Sequence, residues 1–212
     1  MGQHVGESLI LRTYPLKESD LIVSFLTRES GKLRGVANRA RKPKSGYGAG
    51  LERLSHVRLA YFQRENRDLV RIDSAELIRA HFSSASFDHS LALDFMAEVS
   101  ELLLPADEVN EKYFRLLLAV MTDLELAPPE SIWKSLTYFA LWSVRLQGFL
   151  PDVPISKTSR DIAAAMMRMP VAEIPTEGWT KKTAEDLRRS LIGLIEEHCE
   201  RRLITTKFLE AL

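Results

Sequence analysis

The stretch Leu21-Ile22-Val23-Ser24-Phe25-Leu26-Thr27, continued by Arg28-Glu29-Ser30-Gly31-Lys32 and Leu33-Arg34-Gly35-Val36-Ala37-Asn38, decides the fold. Its first seven residues place Leu21, Val23 and Phe25 on one face and Ile22, Ser24 and Leu26 on the other. That is the two-residue period of a strand, with apolar side chains on both faces, as burial on both sides requires. The next five residues are polar or small and include Gly31, which is free to take positive φ, so they read as a hairpin connection. From Lys32 the alternation resumes, with Leu33, Gly35 and Ala37 on one face and Lys32, Arg34 and Asn38 largely on the other.

Working outward, Ser8–Tyr14 carries Leu9, Ile10 and Leu11, and His56–Gln63 turns Val57, Leu59 and Tyr61 inward. Leu69–Asp73 follows the polar turn Arg64-Glu65-Asn66-Arg67. Five short strands with charged connections predict a small five-stranded Greek-key barrel of the OB type over residues 1–80; a β-sandwich half or an SH3-like barrel reads similarly. Residues 81–212 read as an all-helical domain. Helical periodicity runs over Phe87–Leu104, stopped by Pro105, and over Glu111–Leu126. Ile132–Leu146 is apolar nearly all round and predicts a central buried helix. Thr180 is placed to cap a helix reaching Cys199, and a short last helix follows. Residues 152–179 give no clear pattern. The fold class is therefore α+β.

With 212 residues, 45% hydrophobic and 27% charged, the chain has the composition of a folded domain, which excludes wholesale disorder. A single cysteine, Cys199, excludes an intrachain disulfide and any multi-cysteine metal site. The N-terminus has no basic start followed by an apolar run, and Gly6 stands where myristoylation needs Ser or Thr, so a cytoplasmic protein is expected. The most apolar stretch, Ile132–Phe149, is interrupted by Lys134, Arg145 and Gln147 and suits a core helix better than a membrane span.

The 29 basic and 29 acidic side chains cancel overall but are unevenly placed. Residues 1–80 carry a net +6 and residues 81–212 a net −6. Within Arg28–Lys44 seven bases (Arg28, Lys32, Arg34, Arg39, Arg41, Lys42, Lys44) face Glu29 alone. Such asymmetry points to nucleic-acid contact by the basic part; solvated faces, or attraction between the halves, give the same arithmetic. OB barrels bind nucleic acid across the strand 2–3 face and the loops after strands 1 and 4. That surface receives Lys17, Arg28, Lys32, Arg34, Arg64 and Arg67. The segment Asn38–Ser55 adds Arg39, Arg41, Lys42, Lys44 and Arg53, and with Gly46, Gly48 and Gly50 it is expected to be mobile until something binds it. Tyr14, Tyr47 and Tyr61 are candidates for base stacking, with Tyr47 in the glycine loop preferred and Tyr61 equally suited to the core. Thr27 and Glu18-Ser19-Asp20 read as turn and cap residues of the barrel.

Catalytic chemistry finds little support. Gly46-Tyr47-Gly48-Ala49-Gly50 follows no strand and opens no dinucleotide-binding unit. Adjacent on a helix, His198 and Cys199 point about 100° apart and do not form a metal pair. Asp88, Asp94, Glu98 and Glu101 fall mostly opposite the Leu91/Phe95/Val99 stripe and read as a solvated face. The sequence gives no sign of an enzyme, a cofactor or a metal.

One resemblance joins these observations. Leu9-Ile10-Leu11-Arg12-Thr13, Lys17-Glu18-Ser19-Asp20-Leu21-Ile22-Val23, Leu26-Thr27, Gly31-Lys32-Leu33, Ala37, Arg39 and Arg41 together resemble the N-terminus of the bacterial RecO family of recombination mediators in DNA repair. Gly148-Phe149-Leu150-Pro151 matches a Gly-x-x-Pro that closes a long helix in that family. His198, Arg202-Leu203 and Thr206-Lys207-Phe208-Leu209 are similar to its C-terminal signature. The resemblance implies an N-terminal OB fold with a helical C-terminal domain, binding of single- and double-stranded DNA, and annealing of complementary strands. It also implies partnership with RecR and with the tail of single-strand-binding protein, through which RecA recombinase is loaded. For that tail, Arg188, Arg189, Arg201, Arg202 and Lys207 are the candidate bases, because the rest of that half is acidic. Many members carry a four-cysteine zinc site after Gly-x-x-Pro; here Asp152–Ser159 holds no cysteine, which implies a zinc-free member. From the residues alone, a protein-interaction adaptor and an RNA-binding barrel remain open alternatives.

Overall fold

Strand β2 (Asp20–Thr27) pairs antiparallel with β3 (Gly31–Ala37) in the register that the alternation predicts, Val23 opposite Gly35 and Phe25 opposite Leu33. Thr27 closes the hairpin: its hydroxyl donates to the Gly31 carbonyl at 3.1 Å and accepts from the Ser30 N–H at 2.8 Å. Val23 and Phe25 are fully buried in the barrel core, and Ser24 and Leu26 on the opposite face are fully buried as well. The computed structural model from which these features are read describes residues 2–42, 45–64, 68–80, 86–126, 128 and 131–212.

The first strand is longer than its apolar stretch suggests. Strand β1 runs Gly2–Leu16 and serves two neighbours: Gly2–Leu9 pairs with β4 (His56–Gln63), and Ser8–Leu16 pairs with β2. A register shift between Ile10 and Arg12 leaves Leu11 as an extra residue, and such a bulge bends a strand enough to change partners. Strand β5 runs Leu69–Arg79, past the expected end at Asp73, because β4 continues to pair with it as far as Arg79. Parallel pairing of β3 with β5 closes the barrel in the order β1-β2-β3-β5-β4. Its core is built from Ile10, Val23, Phe25, Val57, Leu59, Tyr61, Val70 and Ile72. Gly35 is required where β3 meets β5, since a Cβ there would lie 2.7 Å from Val70 and 2.8 Å from Ile72.

Residues 45–55 are not the structureless glycine loop expected. They form turns and a 3-10 turn over Gly48–Leu51, with Leu51 and Leu54 buried and Tyr47 packed against the barrel core. The apolar side chains, which an open loop would leave in water, drive this packing.

The chain divides into two compact units: Met1–Ser83 with Ser100–Phe114, and Ser84–Val99 with Arg115–Leu212. Helices α1 (Phe87–Leu103) and α2 (Glu111–Leu126) each supply residues to both units. In the second unit α3 (Ile132–Leu146) is buried along almost its whole length, as its composition predicts. Helix α4 (Lys157–Met166) lies in the stretch without a legible period; Ser156 caps it by accepting from the Ser159 N–H at 3.2 Å. Helix α5 (Glu185–His198) starts later than Thr180, which precedes the turn over 181–184 and donates its N–H to the Thr183 hydroxyl. Helix α6 is Thr205–Ala211. Among the described residues no helix is long and apolar enough to cross a membrane.

Candidate nucleic-acid interface

Two turns of the first unit are tied together by hydrogen bonds from backbone N–H groups. Asp20, at the end of the β1–β2 turn, accepts the Arg39 N–H on Oδ1 at 2.8 Å, and the Ser19 carbonyl accepts the Arg41 N–H at 3.0 Å. Lys42 continues the turn by donating to the Arg39 carbonyl at 3.1 Å. Lys17 and Arg39 both take left-handed backbone, with φ of 55° and 56°. The carboxylate of Asp20 is thus spent on holding the turn, while Lys17, Arg39, Arg41 and Lys42 are exposed and make no ion pair with any described residue. Lys44 lies outside the described residues.

Beside these turns runs the outer face of β1, β2 and β3. Register places Arg12, Ser24 and Arg34 in one cross-strand row and Tyr14, Ile22 and Val36 in the next, with Arg71 of β5 beyond Val36. Tyr14, Ile22 and Val36 are half-buried, and the Arg12 guanidinium sits 5.0 Å from the Tyr14 ring centre. The Arg71 guanidinium lies 5.4 Å from the Phe62 ring centre and is bonded to Asp73 at 2.7 Å. A small apolar and aromatic platform edged by guanidinium groups has the chemistry that accepts stacked bases and their phosphates.

The other sequence-predicted bases are placed differently. Lys32 is buried, and its ammonium donates to the Glu101 carbonyl at 2.6 Å. Arg34 donates to Glu101 Oε1 at 2.9 Å, and Ser24 donates to Glu101 Oε2 at 2.5 Å. Arg28 donates to Glu7 at 3.0 Å, lies 3.5 Å from Glu111, and sits 5.7 Å from the Phe114 ring centre. Close by, burial lowers the pKa of His56, against an opposing pull from Glu7. Arg64 is exposed at the end of β4, and Arg67 lies outside the described residues. The Tyr47 hydroxyl donates to the Ile72 carbonyl at 3.0 Å, and burial raises its pKa. Tyr61 belongs to the core, with His4 stacked on its ring at 5.2 Å.

Glu98 and Glu101 correct the expectation of a solvated carboxylate face on α1. Glu101 is buried on the barrel strands, and Glu98 accepts from the N–H groups of Ile204 and Thr205 and from the Thr205 hydroxyl. Their position opposite the apolar stripe hid this, since helical period reports hydrophobic burial and not burial through hydrogen bonds.

In the second unit, α5, α6 and Trp133 enclose a groove of about 530 Å³. Trp133, Ile192, Leu203 and Leu209 supply apolar lining, and Arg188, Arg189, Arg202 and Lys207 supply cations. Arg188 is buried with its guanidinium 4.7 Å from the Trp133 ring centre, and burial pulls its pKa down to about 10. Arg189 pairs with Glu185 at 2.6 Å and Arg202 with Glu196 at 2.7 Å. Lys207 makes no ion pair with any described residue, and Arg201 lines a separate shallow pocket beside the groove.

The family model described as the N-terminal part of recombination protein O matches residues 1–81. Across 98% of both chains the sequence is 36% identical to the DNA repair protein RecO of Koribacter versatilis. The chain belongs to the RecO family. RecO proteins of Cutibacterium acnes and Bifidobacterium animalis are 33% and 36% identical over 72% and 69% of this chain, each matched over 64% of its own length. The closed barrel with helices after it is the OB fold and α+β class that the RecO resemblance implies. The C-terminal RecO-like anchors meet in space: Phe149 of Gly148–Pro151 stacks on His198 with ring centres 4.0 Å apart and planes within 5°.

Proposed function

We propose that this protein is a DNA repair and recombination factor whose barrel binds DNA without sequence preference, chiefly through phosphates. The observation that carries this reading is the group Lys17, Arg39, Arg41 and Lys42, exposed and free of ion pairs among the described residues, on two turns locked by Asp20 and Ser19. Held cations contact phosphates with little ordering cost, and they release counterions rather than read bases. Tyr14, Ile22 and Val36 serve as the base platform in place of Tyr47, whose ring and hydroxyl are engaged by the barrel. Lys44, Arg64 and Arg67 extend the phosphate path. Lys32 stays out of it, because its ammonium already has a buried partner.

No catalytic step enters this reading. Annealing requires two strands to be screened at once and brought into register, which cations and a stacking surface provide. Following what the resemblance implies, the partners proposed are single- and double-stranded DNA, RecR and the tail of single-strand-binding protein, with RecA loading as the outcome. Residues 1–80 are assigned to DNA and residues 81–212 to protein contacts. The groove on α5 and α6 suits a tail that ends in acidic residues, an apolar side chain and a free carboxylate, since apolar lining and Lys207 stand side by side.

The test is binding of the full chain to labelled single-stranded DNA, duplex DNA and RNA over a salt series. Four phosphate contacts predict a slope of log K against log salt near −3 on single strands. Replacing Arg39, Arg41 and Lys42 together by Glu should weaken all sequences alike and flatten the slope. Unaltered binding by a folded triple variant would overturn the proposal. It would favour the adaptor reading, which draws support from the acidic segment seated on Arg28, Lys32 and Arg34.

A further inference from the structure

We propose that Glu101 is a positioning residue that keeps Arg34 off the phosphate backbone and so limits how many phosphates the barrel engages. The inference rests on the DNA-binding reading above and deepens it. Segment 101–111 carries Glu101, Asp107, Glu108 and Glu111, and it follows the β2–β3 hairpin within the first unit. Ala106 forms a parallel bridge with Lys32, and the Asp107 N–H donates to the Lys32 carbonyl at 3.0 Å. The approach is close: Gly31 has φ of +75°, and a Cβ there would lie 2.3 Å from the Glu108 carbonyl oxygen. Only glycine fits. The hairpin that the sequence presents as a phosphate-binding edge is therefore shaped to receive the chain's own acidic segment.

Glu101 is the centre of that contact. Its side chain is 5% exposed, and its two carboxylate oxygens are divided between Ser24 and Arg34. Arg34 is itself 54% exposed, so solvent and a phosphate can reach the guanidinium while the carboxylate neutralises it. A carboxylate at this spot acts twice. It holds Arg34 through Nη2, and it repels a phosphate arriving on the row Arg12–Ser24–Arg34. The strand is steered toward the row of Tyr14, Ile22 and Val36 and the turns of Lys17 and Arg39. Lys32 is anchored on the same residue by donating to the Glu101 backbone carbonyl, a bond that a side-chain substitution at 101 leaves in place.

The experiment compares wild type, Glu101→Gln, Glu101→Asp, Glu101→Gln with Arg34→Ala, and the Arg39/Arg41/Lys42→Glu triple variant, each as the full chain. Oligo-dT is titrated between 50 and 300 mM salt, with thermal unfolding as the control. Glutamine keeps an acceptor for Ser24 and removes the charge, so Arg34 is released to one further phosphate. Glu101→Gln should steepen the salt slope by about 0.7 and tighten binding about fivefold at 0.1 M salt. The added Arg34→Ala should abolish that gain, and Glu101→Asp should stay near wild type. If the triple variant loses affinity while Glu101→Gln, folded, leaves slope and affinity unchanged, Glu101 is a structural brace and this inference fails alone. If the triple variant binds as wild type does, the DNA-binding reading fails and carries the inference with it.

Discussion

Replacing Lys134 by Met should destabilise the helical unit by about 3–5 kcal/mol, the usual cost of leaving a buried charge without its partner. Lys134 is 1% exposed and Asp123 7% exposed, and their side chains meet at 2.8 Å. The same ammonium lies 3.1 Å from the Thr176 hydroxyl and 3.4 Å from the carbonyls of Val171 and Ile174. Asp123 also accepts a bond from the Ser135 hydroxyl at 2.7 Å. Methionine fills the volume but donates nothing, so a buried carboxylate and two carbonyls lose a donor together. At about 2–4 °C per kcal/mol for a chain of this size, the midpoint should fall by about 6–20 °C. The assay is thermal unfolding followed by far-UV circular dichroism, run as a double-mutant cycle with Asp123→Leu. Removing both charges should restore a large part of the loss, since no unpaired charge then remains. A shift under 2 °C for Lys134→Met, or strict additivity of the two changes, would refute the account of this site as a coupled buried pair.

Two further outcomes follow from the same unit. Asp186 has its pKa held down at about 2 by a bond from the Ser159 hydroxyl and by the Ser156 N–H, at the start of α4. Its contribution is present above the ordinary aspartate value near 4 and is lost as pH falls toward 2, so Asp186→Ala should cost about 1 kcal/mol at pH 7 and progressively less in acid, measured by urea unfolding. For the groove on α5 and α6, a peptide with an acidic-apolar C-terminus should bind the full chain, and Lys207→Glu should weaken it at least tenfold with no change in unfolding midpoint. Equal binding by that variant would remove the groove from the proposed partner site.

Most of the barrel and the central helices were legible because they are written in hydrophobic period. Ile132–Leu146 was predicted to the residue, and the β2–β3 hairpin has the register its alternation demands. What period does not encode was lost. The first half of β1 holds few apolar residues, and it is a strand because β4 offers it hydrogen bonds. Helix α4 is short and alanine-rich and begins at a serine cap. Tyr47 looked available because glycines surround it, yet three apolar neighbours in sequence, Tyr47, Leu51 and Leu54, were enough to bring residues 45–55 down onto the barrel and into its shelter.

Charge counting failed in a more instructive way. The seven-to-one excess in Arg28–Lys44 treats every base as available, and a sequence gives no means of assigning a base to a carboxylate some seventy positions away. The fold makes that assignment. Arg28 and Arg34, on or beside the strands, are matched by the carboxylates of Glu7, Glu111 and Glu101, and Lys32 by the Glu101 carbonyl, whereas on the turn Arg39, Arg41 and Lys42 bond through their backbone N–H groups, to Asp20 and to two carbonyls. The division has a physical cause. A side chain standing on a packed strand lies within reach of whatever covers that strand, and burial selects an opposite charge to meet it. A side chain on a turn projects into water, where nothing selects a partner. Availability to phosphate is then decided by secondary structure rather than by charge, which makes the turn, and not the strand face, the part of this barrel where phosphate contacts are to be sought, while the strand face offers its platform to the bases.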